Sequence, residues 1–348
     1  MLITYLLFAL SLVIILAACE LFSNGVEWLG HRLELGEGAV GSILAAIGTA
    51  LPETIIPVFA ILFGSSKGEE HIGIGAIIGS SFMLATLAMF VVGSGIFTFS
   101  FVNGRSRQVD AHINTLTRDL RYFLSSYSIA LIAAVMPSRP VKLALAATLL
   151  GIYIHYFRNT ISDCGDTACN LRPLHFQKKG LPPRWRFIVL QLIIALGVII
   201  YGAHLFISQV ITISAHFAIS ALVLSLLVTP IATELPEKFN SILWVRSKKD
   251  TLAMGNITGA MVFQSCILPA FGIIFTPWHL TEPAVIAAAL GIGASILLLA
   301  NLKINGRLNA VHLVLSGIFY FGFIAYVFLL GRFGDGFLVK SVSNILGL

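Results

Sequence analysis

Gly48-Thr-Ala-Leu-Pro-Glu-Thr54 and Ala232-Thr-Glu-Leu-Pro-Glu-Lys238 are two copies of one pattern, each set in an apolar stretch. Both contain Thr-x-Leu-Pro-Glu, so Thr49 pairs with Thr233, Pro52 with Pro236 and Glu53 with Glu237, at an offset of 184. A carboxylate in hydrocarbon is costly, and such residues face a cavity or an ion path. A proline one residue earlier removes a helical hydrogen bond and frees backbone carbonyls. Two such elements at corresponding places in two halves of a membrane protein point to a transporter's binding site.

Composition puts the chain in a membrane. Of 348 residues, 57% are hydrophobic and only 11% charged, and the mean hydropathy is +0.93. A soluble domain carries about 25% charged residues. A helical span needs about 20 apolar residues. Ten such stretches are legible, roughly 3–29, 38–63, 71–99, 120–136, 140–157, 186–215, 217–245, 251–277, 282–301 and 308–330. They leave no stretch for a separate soluble domain. The net charge of +6 reads as loop charge that fixes orientation, not as a nucleic-acid footprint. Of the 22 Lys and Arg residues, 16 fall in loops on one side and 5 on the other, with Lys238 inside a span. The positive-inside rule then puts both termini outside and the basic 158–185 loop in the cytoplasm; the expected location is a prokaryotic inner membrane.

Residues 16–19, Leu-Ala-Ala-Cys, resemble a lipoprotein cleavage box, but no Lys or Arg precedes Arg32. A signal peptide begins with a charged leader. Cys19 is therefore expected to be a small apolar helix residue.

Five spans precede the basic loop and five follow it, so the second half enters the membrane from the opposite side. The expected fold is an all-α integral membrane protein with ten transmembrane helices in two inverted five-helix repeats. The repeats run over 1–157 and 186–348, with the paired motif regions at about 41–86 and 225–266 and the linker at 158–185. Similarity continues past the glutamates. Residues 71–80 match 251–260, pairing Gly75 with Gly255 and Gly79 with Gly259 at an offset of 180. Each copy supplies a G-x-x-x-G, a small-residue stripe that lets helix backbones approach closely. Close packing there would join helices 2, 3, 7 and 8 into a central bundle.

The linker holds Cys164, Cys169 and His175, with Asp163 and Asp166 beside them. Structural zinc sites favour tighter cysteine spacing and four ligands. The loop is expected to be a plain cytoplasmic connection with reduced thiols.

On a helix, Thr49 and Glu53 are i and i+4 and share a face, and Thr229, Thr233 and Glu237 do the same. Pro52 and Pro236 free the carbonyls of Gly48 and Thr49, and of Ala232 and Thr233. Carboxylates, hydroxyls and carbonyls on one side form the all-oxygen set that hard cations take. Two glutamates balance one Ca²⁺ or two monovalent ions.

At these residues the chain resembles the calcium/cation antiporters, which include the sodium/calcium exchangers. Their two inverted alpha repeats carry G-T-S-x-P-E and, after a Gly-rich start to the next helix, G-S-N. The resemblance covers essentially the whole chain. It implies ten spans, termini outside and a cytoplasmic loop after the fifth. It implies that Glu53, Glu237, Thr49 and Thr233 bind Ca²⁺ and Na⁺ alternately, and that Ser80 matches the serine of G-S-N. This sequence also departs from the pattern. The serine after threonine is Ala50 in one copy and Glu234 in the other, and G-S-N becomes Gly79-Ser80-Ser81 and Gly259-Ala260-Met261. The family's next polar ligands fall at Leu84 and Gln264. Leu84 cannot bind an ion, and Gln264 offers a neutral carbonyl. Glu234 either pairs with Lys238, four residues on, or binds cation or carries a proton.

The reading is a secondary active cation antiporter, exchanging Ca²⁺ for Na⁺, with proton-coupled exchange of Ca²⁺ or another cation as the alternative. The expected metal-binding residues are Glu53, Glu237, Thr49, Thr233, Ser80, Gln264 and Glu234. Its partners are inorganic cations and the lipid bilayer, it acts as a monomer, and it needs no cofactor beyond the transported ions. No metalloprotease helix, P-loop or activated nucleophile argues for an enzyme. A channel could use the same ligands, but inverted repeats suit alternating access. Glu20 and His204 align in spans 1 and 6 and read as interfacial residues.

Overall fold

A computed structural model of the chain describes residues 2–32, 51–64, 66–163, 173–176, 184–217 and 219–330. Among them the secondary structure is helical, apart from one isolated backbone bridge between Gln108 and Asn309. The helices are α1 (Leu2–Arg32), α2 (Leu51–Leu62), α3 (Lys67–Met83), α4 (Met89–Asn103), α5 (Ile113–Val135), α6 (Arg139–Asp163), α7 (Trp185–Phe217), α8 (Ala221–Thr233), α9 (Leu235–Arg246), α10 (Asp250–Phe275), α11 (Glu282–Asn305) and α12 (Ala310–Leu330). A π-helical turn, Leu84–Ala88, joins α3 to α4. Two Asn-Gly pairs end helices in the same way. Gly104 closes α4 at φ 62° and Gly306 closes α11 at φ 60°, a left-handed cap that glycine adopts without steric cost.

Among the described residues, seven segments are long and apolar enough to cross a membrane: Leu2–Phe22, Lys67–Val102, Arg139–Thr160, Trp185–Phe217, Asp250–Phe275, Glu282–Asn305 and Ala310–Leu329. α5 falls short because Arg118, Asp119 and Arg121 sit in its first half. The expected single span over 217–245 is corrected. It is two helices, α8 and α9, with Glu234 between them at φ −95° and ψ 10°. The physical reason is Pro236, which has no N–H for the Ala232 carbonyl.

The chain forms two compact units, Met1–Ala76 with Leu150–Pro236, and Ile77–Leu149 with Glu237–Leu348. In the first, α1 lies antiparallel on α7. Phe8 meets Phe206 with ring centroids 5.1 Å apart, Gly202 backs onto Ile15, and Gln191 Nε2 donates to Asn24 Oδ1 at 3.0 Å. Cys19 lies in this apolar core with Ile15, Ile56, Ile199 and Phe206, as the small-residue reading expects. On the outside of the pair, Ile3 (72% exposed), Val13 (62%) and Ile193 (64%) are uncovered. That is an apolar face turned to lipid, since a water-facing surface would not present such a band.

Asn24 and Gln191 also hold part of the linker. The Phe176 N–H donates to Gln191 Oε1 at 3.0 Å, and the His175 N–H to Asn24 Oδ1 at 3.3 Å. Leu174 is buried beside them. Cys164, Cys169 and Asp166, the other linker candidates, lie outside the described residues.

In the second unit, α5 and α10 run parallel. Thr258 Oγ1 donates to Asp119 Oδ2 at 2.7 Å, and one heptad on Ser126 and Ser265 hydroxyls meet at 2.6 Å. An equal offset at both rungs means the two helices advance in the same direction. α4 and α12 are antiparallel: Phe90 packs on Phe321, with centroids 5.5 Å apart. Further along, Val109 N–H donates to Leu308 O and Ala310 N–H to Arg107 O, both at 2.9 Å. Arg105 ties three segments together. It pairs with Asp250 at 2.5 Å and donates to the Val245 carbonyl at the end of α9.

Candidate functional site

In the first unit the described part of α2 begins at Leu51, so Glu53 stands in its first turn, 2% exposed. Thr49 lies outside the described residues. α8 carries a polar stripe at i, i+4, i+8: Ser225, Thr229 and Thr233, all buried. Ser225 Oγ donates to the Ile72 carbonyl at 2.8 Å and lies 3.1 Å from Thr229 Oγ1. Thr233 Oγ1 donates to the Thr229 carbonyl at 3.0 Å. Each hydroxyl that donates backward keeps oxygen lone pairs for a cation. Thr229 and Thr233 share this face as expected. Ser225 extends it by one turn, a signal the spacing from Thr229 would have given.

Glu234 is fully buried at the junction of α8 and α9, and its N–H donates to the Pro230 carbonyl at 3.1 Å. The shared face drawn through Thr229, Thr233 and Glu237 needs one continuous helix. The structure interrupts that helix, because Thr233 ends α8 and Glu237 falls in the first turn of α9. The side chain of Glu237 lies outside the description. Glu20 and His204 are both exposed.

In the second unit Ser80 is buried on α3 and donates to the Ile77 carbonyl at 3.0 Å. Ser81, beside it, is fully buried with no hydrogen-bond partner among the described residues. Lys238 is buried too, and its Nζ lies 3.1 Å from the thioether of Met83 at the end of α3. Leu84 opens the π-helical turn, within which Thr86 Oγ1 donates to the Phe82 carbonyl at 2.7 Å. π-Turns concentrate at functional sites, and no local sequence pattern announced this one. Gln264 is fully buried on α10.

The paired glycines separate in the structure. A Cβ at Gly75 would strike the Leu222 backbone carbonyl, so α3 and α8 meet there by main chain. At Gly255 a Cβ would meet nothing among the described residues.

Glu53, Glu234 and the α8 hydroxyls are thus buried in the first unit, and Ser80, Ser81 and Gln264 in the second; hard cations take oxygen donors of these kinds. The long apolar helices are those of an integral multi-pass membrane protein. The chain belongs to the sodium/calcium exchanger protein family, whose pattern it matches over residues 3–160 and 187–331. The gap between those ranges falls on the basic linker. CaxA of Alkalimonas amylolytica is 23% identical over 340 residues, 95% of this chain and 99% of CaxA. The crystal structure of the H⁺/Ca²⁺ exchanger CAX matches at a TM-score of 0.66 and 16% identity, covering 99% of this chain and 85% of CAX. The sodium-calcium exchanger NCX_Mj, soaked with Na⁺ and Sr²⁺, matches at 0.56 and 21% identity, covering 93% of this chain and 98% of NCX_Mj. These likenesses establish the fold, and the family places the protein among membrane antiporters of the calcium/cation exchanger superfamily.

Proposed function

We propose that the protein is a secondary active antiporter that exchanges Ca²⁺ for Na⁺ by alternating access, at a site built from Glu53 and Glu237. The observation that carries this reading is the burial of Glu53, 2% exposed in the proline-bearing first described turn of α2, together with the repetition of its motif at Glu237. Two carboxylates neutralise one Ca²⁺ or two Na⁺, so one site can take either ion in turn. Thr49, Thr233, Ser80 and Gln264 complete the oxygen shell with hydroxyl, amide and freed backbone oxygens. The ligand set is thin at Leu84, and weak Na⁺ selectivity follows, because a monovalent ion gains less from each carboxylate and depends more on neutral oxygens.

The proposed topology is ten spans in two inverted repeats, termini outside and the 158–185 linker inside. Three helix pairings support it. The parallel pair α5 and α10 would be spans 4 and 8, which share a direction under this count. The antiparallel pairs α1 with α7, and α4 with α12, would be spans 1 and 6, and 3 and 10, which oppose. The protein acts as a monomer in the inner membrane.

A second reading is exchange driven by protons, favoured by one observation: Glu234 is fully buried where the family pattern has serine. Intramembrane acids serve as proton relays. The test is Ca²⁺ uptake into proteoliposomes under an imposed Na⁺ gradient and, separately, a pH gradient. Uptake driven by Na⁺ alone supports the first reading. Uptake driven by the pH gradient alone replaces it with the second, and uptake with no counter-ion gradient makes the protein a channel.

A further inference from the structure

α5 carries a cationic groove apart from the residues proposed to bind the transported ions. Asn114, Thr117, Arg118, Arg121, Tyr122 and Ser125 line an open pocket of about 530 Å³. Their spacing sets them on one face of the helix. Further along the same face Ile132 (47% exposed) and Val135 (72%) are uncovered. One outward stripe is therefore polar and basic in its first half and apolar in its second. With α5 as span 4 of the proposed topology, the apolar part faces acyl chains and the basic part lies where they end. From Arg118 to Val135 the helix rises about 25 Å at 1.5 Å per residue. That is close to the ~30 Å hydrocarbon thickness, and arginine side chains make up the difference by reaching to the interface.

The donors in the groove are guanidinium, hydroxyl and amide groups. Arg118 is oriented by its neighbour, with Nε 3.3 Å from Asp119 Oδ1, and that carboxylate is itself buried against Thr258. No ion pair involves Arg121 among the described residues, and its side chain is exposed. Ser125 donates to the Arg121 carbonyl, which keeps its hydroxyl on this face. Two guanidinium groups one turn apart match the non-bridging oxygens of a phosphodiester, and they repel the Ca²⁺ or Na⁺ that an ion vestibule would gather.

We propose that this groove binds the phosphate of an anionic phospholipid, held by Arg118 and Arg121 with the acyl chains along Ile132 and Val135. Basic pockets at this depth are the sites where acidic headgroups settle. The interaction is electrostatic at a half-exposed surface, so it weakens as salt is raised.

The test is native mass spectrometry of the full chain released from vesicles of phosphatidylcholine, with and without phosphatidylglycerol. Wild-type protein is expected to retain phosphatidylglycerol in preference to phosphatidylcholine. Arg118→Gln/Arg121→Gln is expected to bind it about thirtyfold more weakly, whereas Arg118→Lys/Arg121→Lys keeps most of the preference. Inorganic phosphate should not displace the lipid. Equal retention of both lipids by wild-type protein overturns the proposal and needs no variant to fold. So does displacement by inorganic phosphate, which would mark a free-anion site. A wild-type dimer that the glutamine variant converts to monomer would mean that a second copy covers the groove, and also overturns it.

Discussion

Asp119 on α5 accepts a hydrogen bond from Thr258 on α10 at 2.7 Å, and Ser126 meets Ser265 in the same register one heptad further on. The two rungs are unequal. The first satisfies a carboxylate 2% exposed, whereas the second joins two neutral hydroxyls that also bond to their own helices. Losing a partner of a buried charged group costs about 1–3 kcal/mol, against roughly 0.6 kcal/mol for an average neutral bond between membrane helices. Thermal unfolding in detergent should show Thr258→Val clearly less stable than wild type and Ser265→Ala nearly unchanged. The reverse order would contradict the reading of Asp119.

Gly75 and Gly255 hold equivalent places in the two sequence copies, yet only Gly75 is pressed against a neighbouring main chain. A carbonyl oxygen cannot rotate away as a side chain can. Gly75→Ala should therefore cost about 1–3 kcal/mol through overpacking, and Gly255→Ala should be tolerated. The measurement is the unfolding midpoint of each variant, and equal midpoints would mean the α3–α8 contact is looser than described.

Orientation can be read chemically. In variants that keep Cys164 or Cys169 as the single cysteine, an impermeant maleimide added to intact cells should fail to label, then label after the membrane is opened. Labelling from outside would place the linker on the outer side and invert the topology.

Glu234→Gln separates the two proposed coupling ions. If it carries protons, Glu234→Gln should abolish uptake driven by a pH gradient while leaving Ca²⁺ binding in place. If it is a structural charge near Lys238, the substitution leaves Na⁺-driven uptake unchanged and lowers stability instead. Unchanged Na⁺-driven uptake with no pH-driven component in wild type removes the proton role altogether.

The helices and the repeated motif were legible because both are local: apolar length marks a span, and two identical Thr-x-Leu-Pro-Glu strings need no structure to be seen. What stayed hidden depends on packing. The π-helical turn at Leu84–Ala88 has no composition signal, and its residues pack against α10, α11 and α12, contacts far apart in sequence. The interruption at Glu234 was half visible. Pro236 announces freed carbonyls within the expected 217–245 span, where the structure ends one helix and starts another. Charge misled in the opposite sense at α5, whose Arg118, Asp119 and Arg121 lie within a 23-residue helix and not in the loop before it. The close approach at Gly75 and the open space at Gly255 show that equal sequence patterns need not meet equal surroundings.

The account rests on two carboxylates acting on one ion, so the most direct measurement is Ca²⁺ uptake by Glu53→Gln and Glu237→Gln proteins in proteoliposomes, beside wild type. Each substitution removes one of the two charges a divalent ion requires, without changing side-chain size. Both variants should fold, insert and show no exchange above empty vesicles. Exchange at the wild-type rate by either variant would contradict the account.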